Sequence, residues 1–374
     1  MNQQKTNKII LTILLLTCVL LVLTACSSRV YDPDELEQAL TPTGVASWVQ
    51  SLYNLVGNYG WTMVVFTLLL KVVMLPLEIW QKVATKKMTY QQMALQPMKE
   101  AIERQYGANS QKANEELQKL YKKQGVSMLA SCLPTIATMM VFIFMFTGVN
   151  QYSRYRNYSD YVELYEQYQA YYSENIDAGM TNEQAVSDAE ERLYVYYTEE
   201  VQEQWLWIKN VWRPDTWEKS MADFADFAQS VGMSTAGGSS AVGDMQANYE
   251  IVYRAIVTNG YNGWNGYMIL PLLCTALSFL AMWLPQLFDK KQGLDQVQNQ
   301  QQVSTNKTMM FMMPLMMAFF GFVYTGAFAI YITCNYLLNL ISTFALRVPV
   351  EKLAKRSALK QQQQNQPPKA SYKR

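Results

Sequence analysis

One ionisable residue stands near the middle of the apolar run from residue 61 to 80. It is Lys71, ten residues from Trp61 and nine from Trp80. A lysine so deep in a bilayer-length helix cannot comfortably carry its ammonium to either surface, and it costs about 2.5–3.5 kcal/mol on insertion scales. It is therefore expected to face a water-filled or protein-lined cavity, where a cation attracts acidic or polar groups. The competing reading is an ion pair inside a helix bundle. No Asp or Glu is placed well inside any apolar run, and Glu78, two turns on near the end of the run, is read as lying on a different face. Lys71 is thus expected to be a lone cation. Hydroxyls and an amide recur in other apolar runs, Ser131, Thr135 and Thr138 in the second and Tyr331 and Asn335 in the last. They are expected to line the same cavity, although such groups in membrane helices often bond to their own backbone or pack helices together.

The residue inventory excludes much other chemistry. The chain has no histidine, which removes His-based triads, His-ligated zinc and imidazole acid–base catalysis. No Gly-x-x-x-x-Gly-Lys or Gly-x-Gly-x-x-Gly motif appears, so neither a nucleotide nor another cofactor is expected. Cys18, Cys132, Cys274 and Cys334 lie far apart inside apolar runs without Cys-x-x-Cys spacing, and no disulfide framework or metal site is expected. Cys26 differs. Two lysines, an apolar run from Ile9 to Leu23 and the sequence Leu23-Thr24-Ala25-Cys26 form a signal peptide over residues 1–25. The Leu-x-Ala-Cys pattern resembles the bacterial lipobox, so Cys26 is expected to be lipidated, to become the first residue and to lie outside the membrane.

The elements that position these residues are apolar blocks of about the 20 residues a bilayer core requires. They are placed at 61–80, 129–149, 265–287, 308–324 and 326–346. Trp61, Trp80, Trp264 and Trp283 suit the interfacial belt, and Pro271, Pro285 and Pro314 are tolerable where neighbours satisfy the freed carbonyls. With Cys26 outside, residues 81–128, 288–307 and the tail 347–374 are expected in the cytoplasm, and 150–264 outside. Charge agrees with this orientation. Residues 81–128 hold nine basic against four acidic residues, the tail holds eight basic residues and Glu351, and 150–264 holds 18 acidic against 7 basic.

Between the spans, Val45, Trp48, Val49, Leu52, Leu55 and Val56 give the segment 26–60 an interfacial amphipathic helix. Residues 81–128 read as a basic helical hairpin broken at Gly107-Ala108-Asn109. Outside, tyrosines from Tyr152 to Tyr172 step by three or four and continue the second span as an aqueous helix. Gly179 ends it, and Thr181 with Gln184 caps a second helix. This pair, 151–203, is expected to bury its own stripes and to be removable as a unit. A Trp-rich stretch at 205–217, a helix-like segment to Val231 and a small-residue linker from Ser234 to Gly243 follow.

These residues carry a resemblance. Lys71 to Pro76, Gly125 to Pro134, Trp205 to Asp215, Ile269 to Phe279 and Thr325 to Asn335 resemble the YidC/Oxa/Alb membrane protein insertase family, in particular its Gram-positive, lipoprotein-type YidC branch. The resemblance implies an all-α membrane protein in which five transmembrane helices surround a hydrophilic groove open to the cytoplasm and to lipid. Lys71 occupies the position of the arginine in the first helix, Ser127-Met128 replaces the usual Asn-Pro, and Ile332 stands where a tryptophan is common. The chain therefore looks like a divergent paralogue. The implied function is non-enzymatic: passing hydrophobic segments of nascent membrane proteins from the cytoplasm into the bilayer without nucleotide hydrolysis. Implied partners are membrane lipids and, through the basic hairpin and tail, the ribosome, signal-recognition components or the Sec translocon. No sequence-specific nucleic-acid binding is expected. A small-solute or ion transporter and a membrane-anchored external assembly lipoprotein are the alternatives. The first has no visible inverted repeat, and the second has no use for a mid-membrane lysine.

Overall fold

The computed structural model describes residues 33–107, 110–124, 128–233, 235, 240–260, 263–291, 312, 314–316 and 318–365. The expected signal peptide and Cys26 lie outside the described residues, as do most of the loop at 288–307 and the last part of the tail. Most of the described residues are helical, and two isolated bridges, Trp205 with Ile208 and Lys219 with Trp264, lie in the irregular stretches. In chain order the helices are α1 Pro33–Leu40, α2 Val45–Val56, α3 Tyr59–Tyr106, α4 Gln111–Lys123, α5 Met128–Asp177, α6 Asn182–Tyr196, α7 Phe224–Val231, α8 Ser240–Asn259, α9 Ile269–Lys291, α10 Pro314–Val323 and α11 Gly326–Asn365. Four of them, α3, α5, α9 and α11, are long and apolar enough to cross a membrane, whereas α10 is a shorter apolar helix at the place of the expected fourth span.

Several helices run past the expected span ends. α3 continues through Trp80 to Tyr106 with Pro76 and Pro97 inside it, and ends before Gly107, which takes a left-handed φ of 83°. The first span and the first arm of the hairpin are thus one helix. Ser110 then caps α4, its hydroxyl accepting the Ala113 N–H at 3.1 Å, and Lys122 and Lys123 end it where the macrodipole favours cations. α5 likewise carries the tyrosine stripe of the external segment on the same 50-residue helix as the second apolar block.

By internal contacts the chain divides into two compact units. The first comprises 1–67, 140–274 and 317–334. Its core gathers Leu36 and Leu40 of α1, Tyr161 and Leu164 of α5, Leu193 of α6, Phe227 of α7, and Tyr249 and Val252 of α8. Gly179 (φ 83°) ends α5, and Thr181 with Gln184 forms a reciprocal capping box that starts α6. The pair α5–α6 is not self-contained. Its buried stripes are covered by α1, α7 and α8, which corrects the expectation that it stands alone. The reason is α8, a 20-residue helix beginning inside the expected linker, whose Tyr249, Val252 and Ile256 make a helical stripe of their own. On α2, Val45 and Val49 are buried in the same unit while Trp48 and Leu55 face outward.

The second unit comprises 68–139, 275–316 and 335–374. Here the later part of α11 packs through Leu340, Val350, Ala354 and Ala358. The Phe288 ring of α9 meets Phe344 edge-on at 5.8 Å and carries the Arg347 guanidinium at 4.0 Å on its face. Farther along, Gln91 Nε2 donates to Gln361 Oε1 at 2.7 Å.

Candidate functional site

In the second unit, α3 and α11 are joined by a polar network that includes Lys71. Lys71 Nζ stands 2.6 Å from Glu78 Oε2 and donates to Asn339 Oδ1. The other carboxylate oxygen, Glu78 Oε1, lies 2.6 Å from Lys82 Nζ and 2.5 Å from the Ser342 hydroxyl. Lys82 also donates to Ser342 and Thr343, both at 3.1 Å. Side-chain exposure is 13% for Lys71 and for Glu78, so both charges are largely out of solvent and depend on these partners.

Lys71 is therefore not a lone cation. Seven residues rotate a helix to within about 20° of two whole turns, which puts residues 71 and 78 on one face, and two long side chains span the axial gap. The expectation that Glu78 lies on a different face is wrong for that geometric reason. The network nevertheless keeps an excess cation, two ammonium groups against one carboxylate.

Beside it opens a cleft of about 360 Å³. Glu78, Lys82, Asn339 and Thr343 form part of its wall, and the Lys86–Asp289 ion pair and Glu351 form more. Lys71 is not on the wall.

The other expected site residues are dispersed. Asn335 is half-buried one turn before Asn339 on α11, so those two amides share a face. Tyr331 belongs to the first unit, is 4% exposed and lies near Phe142 and Phe328 in stacked arrangements. Thr138 is half-buried on α5. Ser131 and Thr135 are on α5, with side chains outside the described residues. Glu78, Lys82, Asn339, Ser342 and Thr343 are the members that the sequence reading missed. The 71–78–82 spacing was the available signal for the first two.

The first unit has its own polar centre, built from the Trp-rich stretch. Glu203 accepts the Tyr59 N–H at 3.0 Å on Oε2 and the Tyr53 hydroxyl on Oε1, which places a carboxylate at the start of α3. Asp215 accepts from Leu270 N at 2.7 Å and Tyr267 N at 2.9 Å at the start of α9. The carbonyls of Arg213 and Val211 receive the N–H groups of Gly326 and Ala327 at the start of α11. One short segment thus satisfies the first free donors of three helices. Behind it Asp160, 6% exposed, forms an ion pair with Arg156 at 2.7 Å and accepts the Trp212 indole N–H at 3.0 Å. Burial pushes the Asp160 carboxyl up to about 7, against the opposing pull of Arg156.

An all-α chain with four span-length apolar helices and a charged network at one of them is a multi-pass membrane protein. The chain belongs to the 60Kd inner membrane protein family, the YidC/Oxa/Alb group, whose sequence pattern matches residues 51–352. It is 32% identical over 104 residues to the membrane protein insertase YidC of Caldanaerobacter subterraneus subsp. tengcongensis, a match that covers 28% of this chain and 48% of that one. It is 32% identical over 98 residues to the membrane protein insertase YidC of Pseudomonas paraeruginosa, covering 26% and 16%. A third such relative, from Stutzerimonas stutzeri, is 31% identical over 98 residues, covering 26% and 17%. The chain thus spans less than half the length of the first relative and under a fifth of the others.

Proposed function

We propose that this chain is a membrane protein insertase that passes hydrophobic segments of client proteins into the bilayer through a hydrophilic groove, without nucleotide hydrolysis. The observation that carries this reading is the largely buried network of Lys71, Glu78 and Lys82 beside an open cleft, in a chain of this family. Its excess cation would draw the acidic or polar end of a client into the cleft. The apolar part of the client would move sideways into lipid, where its hydrophobic free energy is lowest. Asn335 extends the polar face of Asn339, and Ser131, Thr135 and Thr138 would line the remainder of the path. In this reading α10 is the fourth of five spans, the lipidated Cys26 lies outside, and the hairpin and tail lie in the cytoplasm. There the basic residues would meet ribosome, signal-recognition components, Sec translocon or anionic headgroups.

The test is the purified protein in lipid vesicles, with a client that is synthesised first, freed of nucleotide and then added to the vesicles. Protection of the client from protease, above that in empty vesicles, is expected. Protection equal to that in empty vesicles overturns the reading. Labelling with radioactive palmitate tests the anchor: label is expected in the wild type and absent from Cys26→Ala, and equal label in both contradicts it.

A further inference from the structure

The side chain that faces the cleft is not the cation expected to attract a client but the carboxylate bound to it. Glu78 and Asn339 are on the wall, and Lys71 bonds to both without reaching the wall. We infer that Glu78 is the selectivity gate of the insertase: its carboxylate occupies the place on Lys71 that an acidic client residue takes, and the client must displace it.

The inference rests on the insertase reading and on how the carboxylate is held. Glu78 divides its oxygens, Oε2 to Lys71 and Oε1 to Lys82 and Ser342. Releasing Oε2 therefore leaves the carboxylate with two partners, and the exchange strands no uncompensated charge in a half-dry site. Lys82 is well placed to retain it, being four residues on along the same helix and anchored by Ser342 and Thr343. The charge count also favours the exchange. Two ammonium groups and one carboxylate leave an excess positive charge, which one incoming carboxylate neutralises and an amide does not. Elsewhere on the wall Lys86 is already matched by Asp289, and Arg347 lies on the Phe288 ring.

Two substitutions separate a gate from a support, because a gate gives them opposite signs. Glu78→Gln removes the internal competitor. Lys82→Gln removes the cation that keeps Glu78 once Oε2 is released, and so makes its displacement from Lys71 costlier. The full chain in vesicles is given two clients that differ only in carrying Asp or Asn in the translocated segment, and initial rates are read by protease protection. The acidic-to-amide ratio of rates is expected to rise about three- to tenfold in Glu78→Gln and to fall by a similar factor in Lys82→Gln, the scale of one partly buried ion pair. An unchanged ratio in both variants, whether or not both rates fall, makes Glu78 a support and overturns the gate. Should Glu78→Gln lose its helical circular dichroism, Lys82→Gln decides alone. Wild-type vesicles that insert neither client above empty vesicles would overturn the insertase reading itself, a separate outcome.

Discussion

The carboxylate of Asp215 caps a helix that begins 54 residues later in the chain, accepting the Leu270 N–H of α9 at 2.7 Å. The same carboxylate takes the Tyr267 N–H at 2.9 Å and the Trp207 indole N–H at 3.1 Å, and it is fully buried. Asp215→Ala leaves these donors without an acceptor, a loss of about 2–3 kcal/mol for charge-assisted bonds in a buried place. A lower midpoint of thermal unfolding in detergent is the expected result. Gly266→Ala should act similarly, because an added Cβ would come within 1.9 Å of Asp215 Oδ1. An unshifted midpoint in both variants would show that the cap is dispensable.

Asp160 gives the first unit a dependence on pH. In the unfolded chain its carboxyl titrates near 3.8, and in the fold burial raises it to about 7. The folded state therefore holds the proton more tightly. Stability from this group is greatest below the unfolded value and is lost as pH rises from about 4 to about 7. Unfolding followed by tryptophan fluorescence, which Trp212 at the site should report, is expected to show this decline in the wild type and a flatter profile in Asp160→Asn. Parallel profiles would refute it.

The shared core of the first unit makes a prediction opposite to that of a free-standing helical pair. Leu193 of α6 is fully buried among residues of five helices, so Leu193→Ala should cost about 2–5 kcal/mol. Its effect should reach α8. Hydrogen exchange is expected to quicken in Ser240–Asn259 as well as in Asn182–Tyr196, and acceleration confined to α6 would restore the independent pair. By the same argument, replacing 153–203 with a linker should expose Phe227, Tyr249 and Val252 and unfold the region around them.

Period and composition made the all-helical membrane class legible, along with the capping box at Thr181 and the continuation of α5 into its tyrosine stripe. The apolar runs are long, and the stripe repeats at helical spacing over six steps. α8 was not legible. Its stripe mixes tyrosine and alanine with valine and isoleucine, and it begins among glycines and serines that read as a linker. At the site, Lys71 stood out because a charge in an apolar run has a visible cost. Ser342 and Thr343 did not, because a hydroxyl is cheap in a membrane helix, and Asn339, an amide one turn beyond the noted Asn335, shows its role only through the packing of α11 beside α3. Glu78 was visible but was assigned to the wrong face, an error in helical angle.

The central claim is that the charge of Lys71 serves clients and does not merely hold helices together. Lys71→Ala leaves Glu78 with Lys82 and Ser342, so the helices should keep their contact while the cation is gone. The measurement is the rate at which vesicles carrying wild type, Lys71→Arg or Lys71→Ala at equal protein level insert a client with an acidic external segment. The account predicts that Lys71→Arg retains insertion and that Lys71→Ala loses about tenfold or more, the scale of one charge-assisted contact. Insertion by Lys71→Ala at the wild-type rate would contradict it.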